Sequence, residues 1–285
     1  MSVHNGKPYG ILLFEKWHGK YNIGSSRIRG HWLAKYWPEA EIFRQGAKYD
    51  AVIFQKCYWP SYASEFGGVK ILDLCDPDWL AGVEVKAMVD NCDAVTTSTE
   101  ELKRQVEQFT DSPVVFIPDR HDLDFAGGKT KVHEGKAKRV CWFGYSHNLN
   151  VLDIAINTIR RNDLKLTVIH NLRPFYAKAD KNVEWKEDTV NEDILKCDFV
   201  VLPEDMRPLG KYKSNNKAIT AWALGMPVAK TPEDVERFLD PEERRKEAEL
   251  RLKEVREKWD VRISVGEFRD LIERIKKQKK SDEGR

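Results

Sequence analysis

The stretch GKYKSNNKAITAWALGMPV, residues 210–228, carries the signals of a loop, a helix and a strand in succession. A basic loop rich in hydroxyl and amide groups enters an amphipathic run. Gly225 is suited to end a helix there, and Pro227 and Val228 begin an extended segment. The start of a helix offers unpaired backbone N–H groups to an anion. The stretch therefore predicts a helix between a phosphate-binding loop and a buried strand.

Short apolar runs rich in β-branched residues alternate with helical patterns along the rest of the chain. Runs that are apolar on both faces are typical of buried parallel strands, so the pattern predicts open parallel sheets covered by helices. The predicted strands are residues 10–14, 51–54, 70–74, 94–97 and 114–117 in the first half, and 139–143, 166–169, 183–185, 199–202 and 227–229 in the second. The sequence thus predicts an α/β protein with two Rossmann-like domains.

The two series of strands are separated by residues 124–138, DFAGGKTKVHEGKAK, which lack apolar periodicity and are rich in Gly and Lys. This composition is typical of an exposed linker. We therefore predict one Rossmann-like domain over residues 1–128 and a second over residues 137–259.

Two helical segments are expected in the second half. Residues 151–161 place their apolar side chains on one stripe and follow Asn148, a suitable cap. Residues 241–259 carry opposite charges at i,i+4 spacing, which indicates a solvated helix face. The polar tail KKQKKSDEGR, residues 276–285, is interpreted as a frayed end.

The composition narrows the possible classes of protein. The chain has 285 residues, 48 basic and 46 acidic side chains and a formal net charge of +2, which gives no indication of a nucleic-acid partner. No apolar run approaches the roughly 20 residues that cross a bilayer, and no leader pattern is present, so we expect no membrane span and a cytoplasmic location. Five widely separated cysteines predict reduced thiols, without a disulfide framework or a zinc site.

A loop after the first strand is the first candidate binding site. Gly24, Ser25, Ser26 and Arg27 precede an amphipathic run. Backbone N–H groups there would face a bound phosphate, and Arg27 would add a charge-assisted donor. Ligands of open α/β sheets bind at the carboxyl ends of strands, which favours a diphosphate contact. The alternative is that Ser25 or Ser26 caps a helix while Arg27 faces solvent.

Carboxylates follow the predicted strand 70–74. Asp76 and Asp78 lie at its carboxyl end, where one could accept the proton of an acceptor hydroxyl or hydrogen-bond an acceptor sugar. Capping of a helix is an equal alternative. The pairs Asp76-x-Asp78 and Asp122-x-Asp124 also resemble a metal-binding motif, but such matches arise by chance in a chain with 46 acidic residues. We therefore predict no metal site.

Two loops of the second half share this phosphate-binding character. One follows the predicted strand 139–143 and opens a helix, and the other precedes the helix of residues 210–228. A nucleotide's diphosphate and ribose would suit both loops. The residues expected to bind them are Gly144, Tyr145, Ser146 and His147 in the first loop, and Lys211, Lys213, Ser214, Asn215, Asn216 and Lys217 in the second.

The order of these elements resembles the GT-B glycosyltransferases, in particular their large retaining family 4. The resemblance rests on the loop, helix, Gly-x-Pro-Val turn and strand of residues 210–228 and on four further segments. These segments are YDAVIF (49–54), CDAVTTS (92–98), VFIPD (115–119) and CDFVVLP (197–203). The resemblance implies two sheets facing across a cleft, with an N-terminal acceptor domain, a C-terminal donor domain and a final helix, 260–285, packed on the N-terminal domain.

The same resemblance implies an activity. A nucleotide-diphosphate sugar would be the donor substrate, and a hexosyl or pentosyl group would pass to a hydroxyl acceptor with retention at the anomeric carbon. A saccharide or lipid-linked acceptor is the default, and a modified base in DNA is the alternative. No cofactor or metal ion is expected, because Arg27, Lys213 and Lys217 would balance the charge of the leaving diphosphate.

The sequence departs from the family at two positions. Members commonly carry two glutamates, spaced E-x7-E before the Gly-x-Pro-Val turn, which hold the donor sugar and ribose. Here the matching positions are Tyr212 and Thr220. The departure leaves the identity of the sugar open. It also leaves two alternatives open, which are a catalytically inactive nucleotide-sugar binding module and a nucleotide-sugar epimerase of the same fold.

Overall fold

The computed structural model describes residues 6–19 and 23–283. Residues 1–5, on which the leader prediction partly rests, and residues 284–285 of the predicted tail lie outside the described residues. The chain divides into two compact units. Unit 1 comprises Met1–Arg120, Lys211–Ser214 and Val261–Arg285, and unit 2 comprises His121–Gly210 and Asn215–Asp260. The domain bounds expected from the sequence, 1–128 and 137–259, stay a prediction.

Unit 1 is built on a six-stranded parallel sheet in the order β2-β1-β3-β4-β5-β6. The strands are β1 (Tyr9–Leu13), β2 (Ala40–Ile42), β3 (Ala51–Gln55), β4 (Val69–Leu74), β5 (Ala94–Thr97) and β6 (Val114–Phe116). The helices are α1 (Phe14–Trp17), α2 (Gly24–Ser26), a π-helix (Arg27–His31), α3 (Trp32–Tyr36), α4 (Pro60–Glu65), a 3₁₀ helix (Asp78–Ala81), α5 (Lys86–Val89), α6 (Glu100–Val106) and α12 (Val261–Glu283). A 3₁₀ turn, Gly210–Tyr212, begins at the last residue of the unit 2 segment and continues into the segment Lys211–Ser214 of unit 1. Every residue of β1 and β3 is buried, as expected for a parallel sheet covered on both faces.

Unit 2 repeats this architecture with a five-stranded sheet in the order β11-β10-β7-β8-β9, in which the paired strands are again parallel. The strands are β7 (Arg139–Phe143), β8 (Lys165–His170), β9 (Lys181–Glu184), β10 (Phe199–Val201) and β11 (Val228–Ala229). The helices are two 3₁₀ segments (Leu123–Ala126 and Ser146–Ile154), α7 (Ile156–Arg161), α8 (Val190–Leu195), α9 (Asn216–Ala223), α10 (Pro232–Arg237) and α11 (Pro241–Lys258).

Each sheet contains one point at which the direction of its connections reverses. In unit 1 the chain passes from β1 to β2 on one side and then crosses to β3 on the other. In unit 2 it passes from β7 to β8 and β9 and then crosses to β10. Open α/β sheets bind ligands in the crevice beside the carboxyl ends of strands at such a point. The two candidate sites are therefore the loops that follow β1 and β3, and those that follow β7 and β10.

The prediction of an α/β chain with two parallel sheets is confirmed. All ten predicted strands are present, with ends shifted by at most two residues. β2 was not predicted, because its three residues, with Glu41 between Ala40 and Ile42, form too short a pattern to recognise.

The helix predicted over residues 151–161 is wrong in its first half. Residues 146–154 form a 3₁₀ helix, α7 begins at Ile156, and Asn148 lies inside the 3₁₀ segment instead of capping a helix. Leu149, Leu152 and Ala155 are all buried in the core of unit 2. Their spacing of three residues matches the 3₁₀ repeat, in which side chains at i and i+3 lie above one another.

The segment predicted to be an exposed linker, residues 124–138, is exposed at most positions, but it belongs to unit 2 and is attached to the rest of that unit. Lys131 N donates to Leu224 O (2.9 Å), and His133 is buried with its Nε2 2.8 Å from Gly225 O. The charges of α11 were predicted to form a solvated face, but Arg244 of this helix is only 1% exposed and donates to the carbonyls of Phe238 and Gly135 (both 2.7 Å). The segment is attached by hydrogen bonds from arginine side chains to its backbone carbonyls. Such bonds leave no apolar pattern in the sequence.

Candidate functional site

A buried polar network lies beneath the ligand edge of the unit 1 sheet. The Arg29 guanidinium binds both carboxylate oxygens of Asp73 (2.6 and 2.7 Å) and one of Asp119 (2.9 Å). Thr96 donates to Asp73 (2.6 Å), and Ser214 donates to Asp119 (2.5 Å). Burial alone would lower the pKa of Arg29, but the two carboxylates outweigh it and raise that pKa. Arg29 is therefore a fixed positive charge that ties β4 to the loop after β6.

The predicted loop Gly24–Arg27 is already helical. The helix begins at Gly24, and its N-cap residue, Ile23, makes no side-chain cap hydrogen bond, so neither serine is the cap. Ser26 is fully buried and donates to Gln55 Oε1 (2.9 Å), which turns its hydroxyl away from solvent. Arg27 places its guanidinium 5.8 Å from the centre of the Trp32 ring. A diphosphate contact at this helix start stays a prediction, and Ser26 serves to fix the strand ends.

Asp76 and Asp78 share one lysine at the carboxyl ends of β3 and β4. Lys56 Nζ lies 2.6 Å from Asp76 Oδ2 and 3.1 Å from Asp78 Oδ1. Tyr58 OH donates to the other oxygen of Asp78 (2.5 Å). The side chain of Asp76 is 54% exposed, whereas that of Asp78 is 15% exposed. Asp76 is therefore the carboxylate that an incoming hydroxyl can reach. The capping alternative is wrong, because the 3₁₀ helix at residue 78 has Pro77 as its N-cap.

Lys56 occupies an unusual backbone and an unusual electrostatic position. Its φ of +50° lies in the left-handed region, which non-glycine residues rarely adopt. Burial alone would lower the pKa of its ammonium, but Cys75, Asp76 and Asp78 outweigh burial and raise it. Because burial raises the pKa of the Cys75 thiol and keeps it neutral, the two carboxylates carry the effect at neutral pH. Lys56 is thus a cation held at the ligand edge.

A carboxylate and an imidazole, Glu15 and His31, form a further pair in unit 1 that was not predicted from the sequence. Glu15 is the second residue after β1 and is 7% exposed. Its Oε1 lies 2.5 Å from His31 Nε2. The His31 side chain is 45% exposed. The two residues are sixteen positions apart and belong to different helical segments, so no local motif signals the pair. Their positions after β1 and within the following helical run are the one signal available.

The candidate site of unit 2 centres on the end of β7. Gly144 has a φ of +152°, and a Cβ atom there would lie 3.0 Å from the Trp142 ring and 3.4 Å from Lys217 Nζ. Lys217, in the first turn of α9, places its ammonium 5.2 Å from the centre of the Trp142 ring. The N-cap residue of α9, Asn215, makes no side-chain cap hydrogen bond. The backbone of a glycine, a lysine side chain and the start of a helix thus lie close together.

The rest of the predicted loop after β7 forms a rim around this point. Ser146 is tied to the loop after β8, since its N–H donates to Asn171 Oδ1 (2.8 Å) and its hydroxyl donates to Arg173 O (2.6 Å). Tyr145 is 48% exposed, and its ring is stacked on that of His147 with centroids 5.7 Å apart. Tyr145 and His147 thus offer an aromatic surface, whereas Ser146 holds the loop.

The predicted binding residues at and before the start of α9 divide between the two units. Lys211 pairs with Glu101 (2.9 Å), and Ser214 is bound to Asp119 as described above, both within unit 1. Lys213 is exposed. Asn215, Asn216 and Lys217 belong to unit 2. Tyr212 and Thr220, the two positions where the resemblance led us to expect glutamate, have other structural roles, since Tyr212 is buried and Thr220 Oγ1 donates to Asn216 O (2.9 Å).

The second metal-like pair of the sequence caps a helix. Asp122 accepts from the backbone N–H of Asp124 (3.0 Å) and begins the 3₁₀ helix Leu123–Ala126. Across residues 6–19 and 23–283, no cluster of three or more His, Cys, Asp or Glu side chains is arranged to hold a metal ion. Within the same ranges no helix is both long and apolar enough to cross a membrane.

Comparison with known proteins identifies the fold. No family model matches the chain, and no curated protein matches it. Solved structures do match. AviGT4, a glycosyltransferase involved in avilamycin A biosynthesis, is 12% identical, with 84% of this chain and 80% of that chain covered and a TM-score of 0.51. The DNA-modifying enzyme β-glucosyltransferase, whose substrate is uridine diphosphoglucose, is 9% identical, with 94% and 98% covered and a TM-score of 0.54.

A third match is longer than this chain. The accessory secretory protein 1, 2 and 3 structure from Streptococcus pneumoniae is 12% identical, with 82% of this chain and 55% of that chain covered and a TM-score of 0.52. The chain thus spans about half the length of that protein, and also 53% of the matched chain of a glycosylation-associated complex from Streptococcus agalactiae, at a TM-score of 0.48. At such low identity the likeness concerns the fold alone. The fold of this chain is that of the GT-B glycosyltransferases.

Proposed function

We propose that this chain is a glycosyltransferase that moves a hexosyl or pentosyl group from a nucleotide-diphosphate sugar to a hydroxyl acceptor. The observation that carries the proposal is the meeting of Gly144, Lys217 and the start of α9 at the switch point of unit 2. A diphosphate can approach the bare backbone of Gly144, accept hydrogen bonds from the first turn of α9 and pair with the Lys217 ammonium. The GT-B fold supports the same proposed function.

The chemistry asked of unit 2 is stabilisation of a leaving group. As the bond between the sugar and the diphosphate breaks, negative charge grows on the phosphate oxygens. A fixed ammonium and oriented N–H groups stabilise that charge more strongly in the transition state than in the bound donor. Lys217 and the start of α9 would then act in place of a metal ion, so we propose metal-independent transfer. Retention at the anomeric carbon is proposed on the family resemblance, and proton NMR of the product tests it.

The acceptor would bind at the ligand edge of unit 1. Asp76 is exposed, and Lys56 already orients it through Oδ2, so its other carboxylate oxygen can accept a hydrogen bond from an acceptor hydroxyl. Tyr58 holds Asp78, which in turn holds Lys56. A saccharide or lipid-linked acceptor fits such a polar edge.

A catalytically inactive nucleotide-sugar binding module is the second candidate. The observation in its favour is the replacement of both family glutamates, by a buried Tyr212 and by a Thr220 whose hydroxyl bonds its own helix. Such a module would bind a donor and turn over none of it. Measured donor turnover separates the two candidates.

The test is a thermal-shift screen against UDP-, GDP-, ADP-, CMP- and dTDP-linked sugars, with and without EDTA. A donor at about 100 times its Kd raises the free energy of unfolding by about 2.7 kcal/mol. We expect one nucleotide to raise Tm, EDTA to leave the shift unchanged, and Lys217→Met to weaken binding about tenfold or more. Lys165→Met is the matched control, since Lys165 is exposed and pairs with Asp180 in the same unit. The absence of any shift would contradict the proposal.

A further inference from the structure

We propose that His31 takes the proton of the acceptor hydroxyl and that Glu15 is the residue that positions it. The inference rests on the proposed glycosyl transfer and assigns it a base. Glu15 and His31 both follow β1, whose carboxyl end borders the switch point of unit 1. The pair therefore lies where an open α/β sheet binds its ligand.

The carboxylate of the pair is held in place on several sides. Glu15 Oε1 lies 2.5 Å from His31 Nε2, and Glu15 Oε2 accepts from the N–H of Ile23 (3.4 Å). The N–H of Glu15 donates to Ser26 Oγ (3.2 Å), and Ser26 Oγ donates to Gln55 Oε1 (2.9 Å). The α1 segment is thus fixed to the end of β3 through Ser26 and Gln55. A buried carboxylate with this support keeps its imidazole partner in one orientation.

This geometry selects the reactive nitrogen of His31. A carboxylate at Nε2 favours the tautomer that carries its proton there, which leaves the lone pair on Nδ1. Among the described residues Nδ1 has no hydrogen-bond partner, and 45% of the side chain is exposed. When Nδ1 gains a proton, the adjacent Glu15 stabilises the resulting imidazolium, as a carboxylate does for the histidine of a catalytic triad.

The other acidic groups at this edge are less suited to accept a proton. Asp76 and Asp78 both neutralise Lys56, and Asp78 also accepts from Tyr58. Protonating either carboxylate would leave the buried Lys56 ammonium with less compensation. From the sequence, one of these aspartates was expected either to accept the proton of the hydroxyl or to hydrogen-bond the acceptor. The contacts instead suit them to orienting the hydroxyl, while His31 accepts its proton.

In the proposed step, each bond that forms is matched by a bond that breaks. The hydroxyl oxygen of the acceptor forms a bond to the anomeric carbon as its proton passes to His31 Nδ1. The bond from the anomeric carbon to the diphosphate oxygen breaks, and its electron pair leaves on the nucleoside diphosphate. The imidazolium later releases the proton to solvent. The balance is the same for attack on either face of the sugar.

The experiment measures kcat and KM of the full chain with the donor and acceptor found active for the wild type. We expect His31→Ala to lower kcat by about 10² to 10⁴-fold with little change in donor KM. Added imidazole should restore part of the kcat of His31→Ala, because it replaces the missing ring. Glu15→Gln should lower kcat by roughly tenfold or more, with Glu15→Asp less affected. His18→Gln, whose ring packs on Phe14, is the matched control and should retain activity.

Each outcome has a distinct meaning. Donor-induced thermal shifts equal to that of the wild type show that a variant is folded and still binds its donor. With that shift intact, a His31→Ala variant within threefold of wild-type kcat, or one that imidazole does not restore, would overturn the assignment of the base. A wild type that turns over no donor would instead overturn the proposed function, and the base with it.

Discussion

At the scale of single residues, the two aspartates that share Lys56 make different contacts. Asp78 binds both Lys56 and Tyr58 and is mostly buried, whereas Asp76 binds Lys56 and is largely exposed. We expect Asp78→Asn to lower the free energy of unfolding by about 1–3 kcal/mol, because the buried Lys56 and the partly buried Tyr58 lose a charged partner. Asp76→Asn should change it by less than about 0.5 kcal/mol but raise acceptor KM. Urea denaturation and acceptor titration measure the two effects, and equal stability losses would contradict this division.

A candidate site residue could be predicted from the sequence where it closely follows a strand along the chain. Asp76 and Asp78 were found because they directly follow a buried strand, and strand ends are where ligands bind. Glu15 and His31 were not paired, because their contact depends on how the helix after β1 folds back. Lys56 gave no signal either, since a left-handed backbone at a lysine is set by its surroundings.

At the scale of elements, predictability followed the hydrophobic pattern. Strands such as β1 and β3 are buried at every position, so a run of mostly apolar residues identified them. The segment 124–138 has no such pattern, because its attachments are made by backbone carbonyls to Arg244 and Arg245. These two arginines lie more than a hundred residues further along the chain, so the composition of the segment could not reveal the attachment.

The same segment carries a pH-dependent contribution to stability. His133 is buried against Gly225 O, and burial lowers its pKa below the ordinary value, with Arg244 and Lys131 acting in the same direction. As pH falls below about 6.5, the unfolded chain binds a proton before the folded one does, so the folded state loses stability. That stability is present above the unfolded pKa and is lost as pH falls through the folded pKa.

The measurement is urea denaturation of the wild type and His133→Gln between about pH 7.5 and about pH 5. Glutamine keeps a donor for Gly225 O but does not titrate in this range. We expect the wild type to lose more stability than the variant as pH falls, by at most about 1.4 kcal/mol per pH unit. Parallel curves for the two proteins would contradict a buried neutral His133.

At the scale of the whole molecule, each unit repeats one plan with different chemistry at its switch point. Unit 1 places carboxylates, a lysine and a histidine after β1, β3 and β4. Unit 2 places a glycine, a lysine and a helix start after β7. Proton transfer and hydroxyl recognition suit the first set, and anion recognition suits the second. The repeated strand pattern was readable in the sequence, whereas this division required contacts.

The overall charge of the molecule bears on the acceptor. DNA binding without base recognition depends on many Lys or Arg contacts to phosphate, and a protein with 6–10 such contacts loses about 10³ to 10⁵ in affinity between 50 and 200 mM salt. This chain has a net charge of +2. Two lysines of its basic final helix are already paired, Lys276 with Asp50 and Lys279 with Asp93. The charge pattern therefore favours a saccharide or lipid-linked acceptor over a modified base in DNA.

Fluorescence anisotropy with a labelled single-stranded and a labelled duplex oligonucleotide tests this. At about 0.2 M salt we expect a Kd weaker than about 10⁻⁴ M for both, the weak end of non-specific binding. At about 0.05 M salt any residual binding should fall with a shallow slope of log K against log salt, since few phosphates can be neutralised at once. A steep slope, equivalent to six or more phosphate contacts, would mean that paired lysines such as Lys276 exchange their aspartates for phosphates. A modified base held in a duplex would then become the acceptor to test first, because the affinity for the polymer would already place it at the protein surface.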